Sequence, residues 1–220
     1  MTSLQLSDTL PIHLYERALA GHPVGVQLED GTHAPLTADV WSRPRPGDGS
    51  VVSRCHGATL DVGCGSGRFT EAVAAAGLAA LGIDISPHAV RLARRRGVQA
   101  RQRDVFAQAP SLGRWKHVLL MDGNIGIGGD PGHLLQRCRE LLARDGTVLV
   151  ETGPPGTGSR GLLVRLVHAG ASSRPFRWHV SDANGIRSVA AAMGLRATDE
   201  WTAGGRWFLE LSPPATGRLS

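Results

Sequence analysis

The 220 residues are 41% hydrophobic and 20% charged, a balance that suits one compact domain and excludes a largely disordered chain. No apolar run reaches the roughly 18–20 residues that a bilayer span requires. Asp8, His13 and Glu16 interrupt the first residues where a signal peptide would be continuously apolar, so a cytoplasmic protein without a membrane partner is expected.

The net charge of +5 invites a nucleic-acid partner, but 23 of the 24 basic residues are arginines scattered from Arg17 to Arg218. The densest group, Arg91, Arg94, Arg95 and Arg96, falls at the end of an expected helix, where cations complement the dipole. Aromatic residues make up only 5% and do not interleave with the arginines, so no stacking platform for single strands is indicated. Cys55, Cys64 and Cys138 form no CxxC, and their spacing to His56 fits no zinc pattern. They read as reduced thiols, with no metal site expected.

In chain order, a short amphipathic helix precedes a hairpin of Val24–Leu28 and Thr32–Leu36 around Glu29-Asp30-Gly31, and Pro44–Ser50 reads as a linker. Residues 1–56 are expected to cap a pocket, and residues 57–220 to form the main domain. From Ala58 onward, strands alternate with helices, the pattern of an α/β domain with a mostly parallel sheet. The strands are Ala58–Val62, Ala79–Ile85, Val98–Val105, His117–Met121 and Thr147–Glu151; helices fall at Phe69–Ala76, Pro87–Arg96 and Pro131–Ala143. Ser86 before Pro87, and Asp130 before Pro131, place an N-cap ahead of proline at the first helical position. Gly77, Gly97 and Gly146 stand where helices would end.

An inserted segment at about 152–180 holds a Gly/Pro-rich loop and a ribbon of Leu162–Val167 with Phe176–Val180. A helix over Asp182–Met193 follows, then an antiparallel hairpin of Leu195–Trp201 and Arg206–Leu211. The loop Gly153-Pro154-Pro155-Gly156-Thr157-Gly158-Ser159-Arg160 superficially copies a phosphate-binding loop. It lacks the lysine that would reach the phosphates, so it reads as a rim of the pocket.

The most informative stretch is Asp61-Val62-Gly63-Cys64-Gly65-Ser66-Gly67-Arg68, a strand running into a glycine turn and then a helix. Glycines there adopt positive φ and let a ligand approach the backbone. The spacing is off for a dinucleotide, whose third glycine would stand at Arg68. Asp61, at the end of a core strand, requires a cationic or hydrogen-bonding partner, and a ligand ammonium would serve. Asp84 closes the next strand near where such folds place an acid on ribose hydroxyls. Asp104, with Val105 and Phe106, can accept from an exocyclic amine and pack on a purine. Asp84 and Asp104 could equally be turn residues bonding their own backbone, and Gly67 could serve helix packing.

These segments, with Gly82-Ile83-Asp84-Ile85-Ser86, Arg103-Asp104-Val105-Phe106 and Leu141–Glu151, resemble the class I S-adenosylmethionine-dependent methyltransferases. The resemblance implies a Rossmann-like seven-stranded sheet with helices on both faces and a C-terminal antiparallel hairpin, and S-adenosyl-L-methionine as cofactor. It implies that Gly63, Gly65 and Gly67 wrap the methionine part, that Asp61 meets its ammonium and that Asp84 holds the ribose. Asp104 would face the adenine amine, with Ile85 and Val105 beside the ring and Asp122 near the donor.

Ligands of open α/β sheets bind beyond the carboxyl ends of the strands at the switch point, which makes Met121–Asp130 the acceptor-site candidate. Asp122 and Asn124 are the polar groups placed to face the methyl. His179, beside Trp178 in the insertion, is the candidate base, although a packed or exposed histidine explains it equally. His168, His56 and His133 have weaker claims, Asp130 reads as a helix cap, and Tyr15 could cover the cofactor. Gly123 and Asn124 stand where methyltransferases of DNA bases carry prolines, which points away from nucleic acid. The expected function is methyl transfer to a small-molecule acceptor, as in secondary metabolism. The alternatives are an RNA or protein methyltransferase, or a non-catalytic S-adenosylmethionine-binding protein.

Overall fold

The computed structural model describes residues 8–107 and 112–214; the first seven residues of the expected cap lie outside them. The central sheet has seven strands. These are β1 (Thr59–Val62), β2 (Ala80–Asp84), β3 (Ala100–Gln102), β4 (Trp115–Leu120), β5 (Leu142–Thr152), β6 (Arg196–Ala203) and β7 (Arg206–Ser212). Their order across the sheet is β6-β7-β5-β4-β1-β2-β3. The first five are parallel, and β7 runs antiparallel to both β5 and β6. The order reverses between β1 and β4, so a crevice opens beyond their carboxyl ends.

Because strand side chains alternate, each strand feeds two cores. Leu60, Val62, Leu81, Ile83, Val118, Leu120, Val148 and Val150 pack against Leu134, Leu135 and Cys138 of helix Pro131–Leu141 and Ile186 of helix Ala183–Ala192. Leu119, Met121, Leu149 and Phe208 point the other way, onto Val51 of helix Asp48–Val52 and Phe69 and Val73 of helix Arg68–Ala75. The helix starts are as the sequence predicts. Ser86 Oγ accepts from Ala89 N at 3.0 Å and Asp130 Oδ1 from His133 N at 3.1 Å. Gly77 and Gly97 close helices at φ +80° and +81°.

Four expectations need correction. Gly146 ends no helix, because β5 begins at Leu142 directly after Leu141. Its side-chain hydrogen instead lets the Trp115 carbonyl approach, 2.7 Å from where a Cβ would stand. Strand β3 is shorter than Val98–Val105, since Asp104 Oδ1 takes the Phe106 N–H at 2.9 Å and turns the chain. Pro44–Ser50 is not a free linker: it runs into helix Asp48–Val52, and Asp48 is buried against two arginines. The N-terminal hairpin and the inserted ribbon are not separate either.

They form one second sheet around Ser159–His168. Gly25–Leu28 pairs with one edge of that strand, Val26 opposite Leu166, and Phe176–Ser181 and Ala171–Ser173 pair with the other. His33–Pro35 and Asp8–Thr9 lie outside them. Leu14, Ala18, Val24, Ala38 and Leu166, with Tyr15, Trp41 and Phe176, give this cap its own small core. No helix among the described residues is long and apolar enough to cross a membrane, and none of their His, Cys, Asp and Glu side chains cluster as a metal site. The three cysteines are free and buried.

Candidate active site

All four residues of β1 are buried, and the chain leaves it through Gly63, Gly65 and Gly67 at φ +69°, +54° and +85°. Those angles belong to the left-handed region that a Cβ disfavours. Gly67 serves packing as well, for its Cβ would stand 2.8 Å from that of Ala93. Asn124 staples the turn from above: its Nδ2 donates to Val62 O at 2.8 Å and Gly63 O at 3.0 Å. Within the turn the Ser66 hydroxyl is buried and has no hydrogen-bond partner among the described residues, a costly state unless a ligand meets it.

The three acids occupy one end of the sheet in three different states. Asp61, 3% exposed, accepts from Thr70 N at 3.1 Å and Thr70 Oγ1 at 2.7 Å. Burial still pushes its carboxyl up to about 6. Asp84 accepts from Gly65 N at 3.0 Å and Ser86 N at 2.8 Å, which ties the end of β2 to the glycine turn. Burial raises it too, against the pull of those N–H groups. Asp104 is exposed in the turn after β3. Between the last two, Ile85 leaves 56% of its surface to solvent, while Val105 is buried. Phe106 stacks on His133 with ring centroids 4.5 Å apart.

At the end of β4, Asp122 stands at φ +53°, in a network no local pattern reveals. Arg68 Nη2 reaches both Asp122 oxygens at 2.8 and 2.6 Å, and its Nη1 reaches both oxygens of Asp48 at 3.0 and 2.8 Å. Arg45 adds a bond to Asp122 Oδ1 at 2.9 Å. Arg206 joins Asp48 at 2.6 Å to Glu151 at 2.8 and 2.7 Å. Glu151 in turn accepts from Asp122 N at 2.7 Å. Burial pushes the Asp122 carboxyl up while Arg68 pulls it down. With both oxygens held by guanidinium groups, Asp122 is an anchor of the wall rather than an open proton acceptor, and Asn124 is committed to the glycine turn. Sequence reading missed Arg45, Asp48, Arg68 and Arg206; only the position of Arg68, directly after the last glycine, could have marked it.

Three of the four glycines of 123–129 have a packing reason, while Gly123 stands in open space at φ +81°. A Cβ at Gly126 would stand 2.5 Å from His179 O and collide with the Trp178 indole, one at Gly128 would meet the Phe106 ring at 2.8 Å, and one at Gly129 would strike Arg177. The cap strand Phe176–Ser181 therefore rests directly on this segment, which brings His179 to the same end of the sheet as Asp122 and Asn124. His179 Nε2 lies 2.9 Å from Ser159 Oγ, and burial lowers its pKa. His168 sits on the cap with Arg17 and Pro23 O. His56 pairs with His117 at the opposite end of the sheet. The loop 153–158 binds its own anion: Gly156 N and Gly158 N donate to Asp182 Oδ2 at 3.2 and 3.0 Å. That carboxylate fills the cradle a phosphate would need.

Residues 60–148 match the family model of a methyltransferase domain. That segment is less than half of the chain, and over it the chain resembles the class I S-adenosylmethionine-dependent methyltransferases. The chain is 31% identical over 101 residues to a ubiquinone biosynthesis O-methyltransferase of Leptothrix cholodnii, a match covering 42% of the chain and 43% of that relative. It thus spans less than half the length of the curated relative it matches. Among solved structures it is similar to an S-adenosylmethionine-dependent methyltransferase of Bacteroides fragilis in complex with S-adenosyl-L-homocysteine. The TM-score is 0.78 at 20% identity, over 96% of this chain and 98% of that one. A 1,6-didemethyltoxoflavin-N1-methyltransferase of Burkholderia thailandensis matches with a TM-score of 0.56 at 18% identity, over 96% and 91% of the chains. These likenesses carry the fold.

Proposed function

We propose that the methyltransferase transfers a methyl group from S-adenosyl-L-methionine to a small-molecule acceptor held under the cap. The observation that carries the reading is the convergence of the glycine turn, Asp84 and exposed Ile85 on one crevice at the switch point. The unpartnered Ser66 hydroxyl and the positive φ of Gly63, Gly65 and Gly67 support the fit. In this reading Asp84 accepts from the ribose, Asp104 from the adenine amine, and Ile85 and Val105 flank the ring. Asp61 faces the ammonium. Bound S-adenosylmethionine supplies an electrophilic methyl and a neutral thioether leaving group.

What the chain contributes is alignment and exclusion of water. Asn124 holds the turn that positions the donor, and the Asp122–Arg68–Asp48–Arg206–Glu151 network fixes the wall from which an acceptor is presented. His179, neutral near pH 7 because burial lowers its pKa, is the group that takes a proton from a hydroxyl or ammonium acceptor. The named activities of the relatives support a small acceptor, as does a cap sheet whose strand Phe176–Ser181 rests on Gly126 and Gly129. A cytoplasmic setting keeps Cys55, Cys64 and Cys138 reduced.

The test is incubation with S-adenosylmethionine and a panel of hydroxyl- and amine-bearing small molecules, read by S-adenosylhomocysteine release and product mass. Turnover of a panel member supports the reading. Methylation of bulk RNA or protein with none of the panel would overturn it in favour of a macromolecular acceptor.

A further inference from the structure

Helix Pro87–Arg95 packs on β3, the edge strand of the central sheet, through Val90, Ala93 and Ala100. Arg91 and Arg94 stand one turn apart on that helix, and Arg101 and Arg103 come from β3 and the residue just past it. The four arginines line one open groove of about 580 Å³, with Pro87, Val90 and Gln102 completing it. Its frame is held by hydrogen bonds: Arg94 Nε donates to Ala100 O at 2.9 Å, and Gln102 Nε2 to Ile85 O at 3.2 Å.

No aspartate or glutamate lines the groove, and none of its four arginines forms an ion pair among the described residues. Arg96, on the same helix end, does find an acid, Glu71 at 2.7 Å. The helix dipole accounts for Arg94 and Arg95 in the last turn, but for neither Arg91 nor the two arginines of the strand. Like charges gathered around one hollow repel one another, and an anion seated there would remove that cost.

We propose that this groove is a binding site for a short chain of linked phosphates, free or as the tail of a nucleotide. Guanidinium forks match phosphate oxygens two at a time. Linked phosphates also concentrate their charge within the span of the site, about 5 Å along the helix and about 7 Å along the strand. A nucleic-acid backbone fits less well, because no aromatic side chain lines the groove to stack a base. The site is separate from the crevice that holds the glycine turn, although it adjoins it: Arg103 N donates to Asp84 O at 2.9 Å.

The test is calorimetry of the full chain with tripolyphosphate at low salt. One-to-one binding is expected, weakened about tenfold or more by Arg91→Ala and by Arg101→Ala. Both side chains are exposed, so these variants should fold. Arg95→Ala removes the same charge from the same helix outside the groove, and its affinity should stay within about twofold of wild type. Adenosine triphosphate binding more tightly than tripolyphosphate, with the same sensitivity to Arg91→Ala, would identify a nucleotide as the ligand; equal affinities would identify the phosphate chain alone. No binding by the wild type overturns the proposal, as does an equal loss in Arg95→Ala. Displacement of tripolyphosphate by S-adenosylhomocysteine would also overturn it, by placing the anion in the crevice. So would binding of single-stranded RNA or polyglutamate without any of tripolyphosphate, in favour of a macromolecular partner.

Discussion

Asp61 shows what a buried carboxylate costs the fold. Its carboxyl is held near 6 by burial, against about 4 in an unfolded chain. Between those values the folded protein keeps a proton that the unfolded chain releases, so stability falls as pH rises through the window and stays lower above it. Asp61→Asn removes that fall while leaving an oxygen for Thr70. The variant should gain about 1–2 kcal/mol at pH 7.5, far less at pH 4, and lose affinity for S-adenosylhomocysteine. A thermal midpoint no higher than wild type at pH 7.5 would contradict this. Asp61, Asp84 and Asp104 were visible in the sequence because each stands at or just past the end of a strand. Asp122 was visible too, but its role was not: the guanidinium groups that hold it come from positions 45 and 68, and nothing near residue 122 announces them.

Elements carry the next set of consequences. The segment Asn124–Gly129 is bare because the cap strand lies on it, so Gly126→Ala should push the Trp178 indole and the His179 carbonyl away. A cost of about 1–3 kcal/mol is expected from the overpacking, and proteolysis within residues 159–181 should accelerate; an unaltered midpoint and cleavage rate would count against cap seating. On β4, burial pushes His117 down to about 4, with His56 and Lys116 adding to it. Between pH 4 and 6.5 the unfolded chain binds a proton that the folded one refuses, so stability is lost as pH falls through that range. His117→Asn removes this dependence. Its destabilisation measured at pH 7.5 should exceed that at pH 5 by about 1–2 kcal/mol, and equal losses at the two pH values would show that His117 does not titrate in this way. Strands β1, β2, β4 and β5 and the caps at Ser86 and Asp130 were legible because period, proline and capping residues are local signals. β3 was overextended because the Asx turn at Asp104 interrupts a run that otherwise reads as strand.

At the scale of the molecule, long-range pairing joins parts that look independent along the chain. The cap sheet unites Gly25–Leu28 with Val164–Val167, more than 130 residues away by numbering; alternation predicts both strands but not their partnership. Asp48 behaves likewise, since the arginines that bury it are Arg68 and Arg206, and a proline-rich neighbourhood reads as a loop until they are known. Asp48→Ala leaves two buried guanidinium groups short of a partner and should cost about 3 kcal/mol or more. Lys116→Ala, which breaks the exposed pair with Asp145, should cost less than about 1 kcal/mol; similar midpoint losses for the two would refute the network as a keystone between cap, turn and hairpin. The proposed function requires a crevice over the glycine turn that takes an S-adenosyl nucleoside. Calorimetry with S-adenosylhomocysteine on wild type and Asp84→Ala examines that claim directly. One-to-one binding that weakens about tenfold or more in the variant is predicted, and no heat with the wild type, or equal affinities for the two proteins, would contradict it.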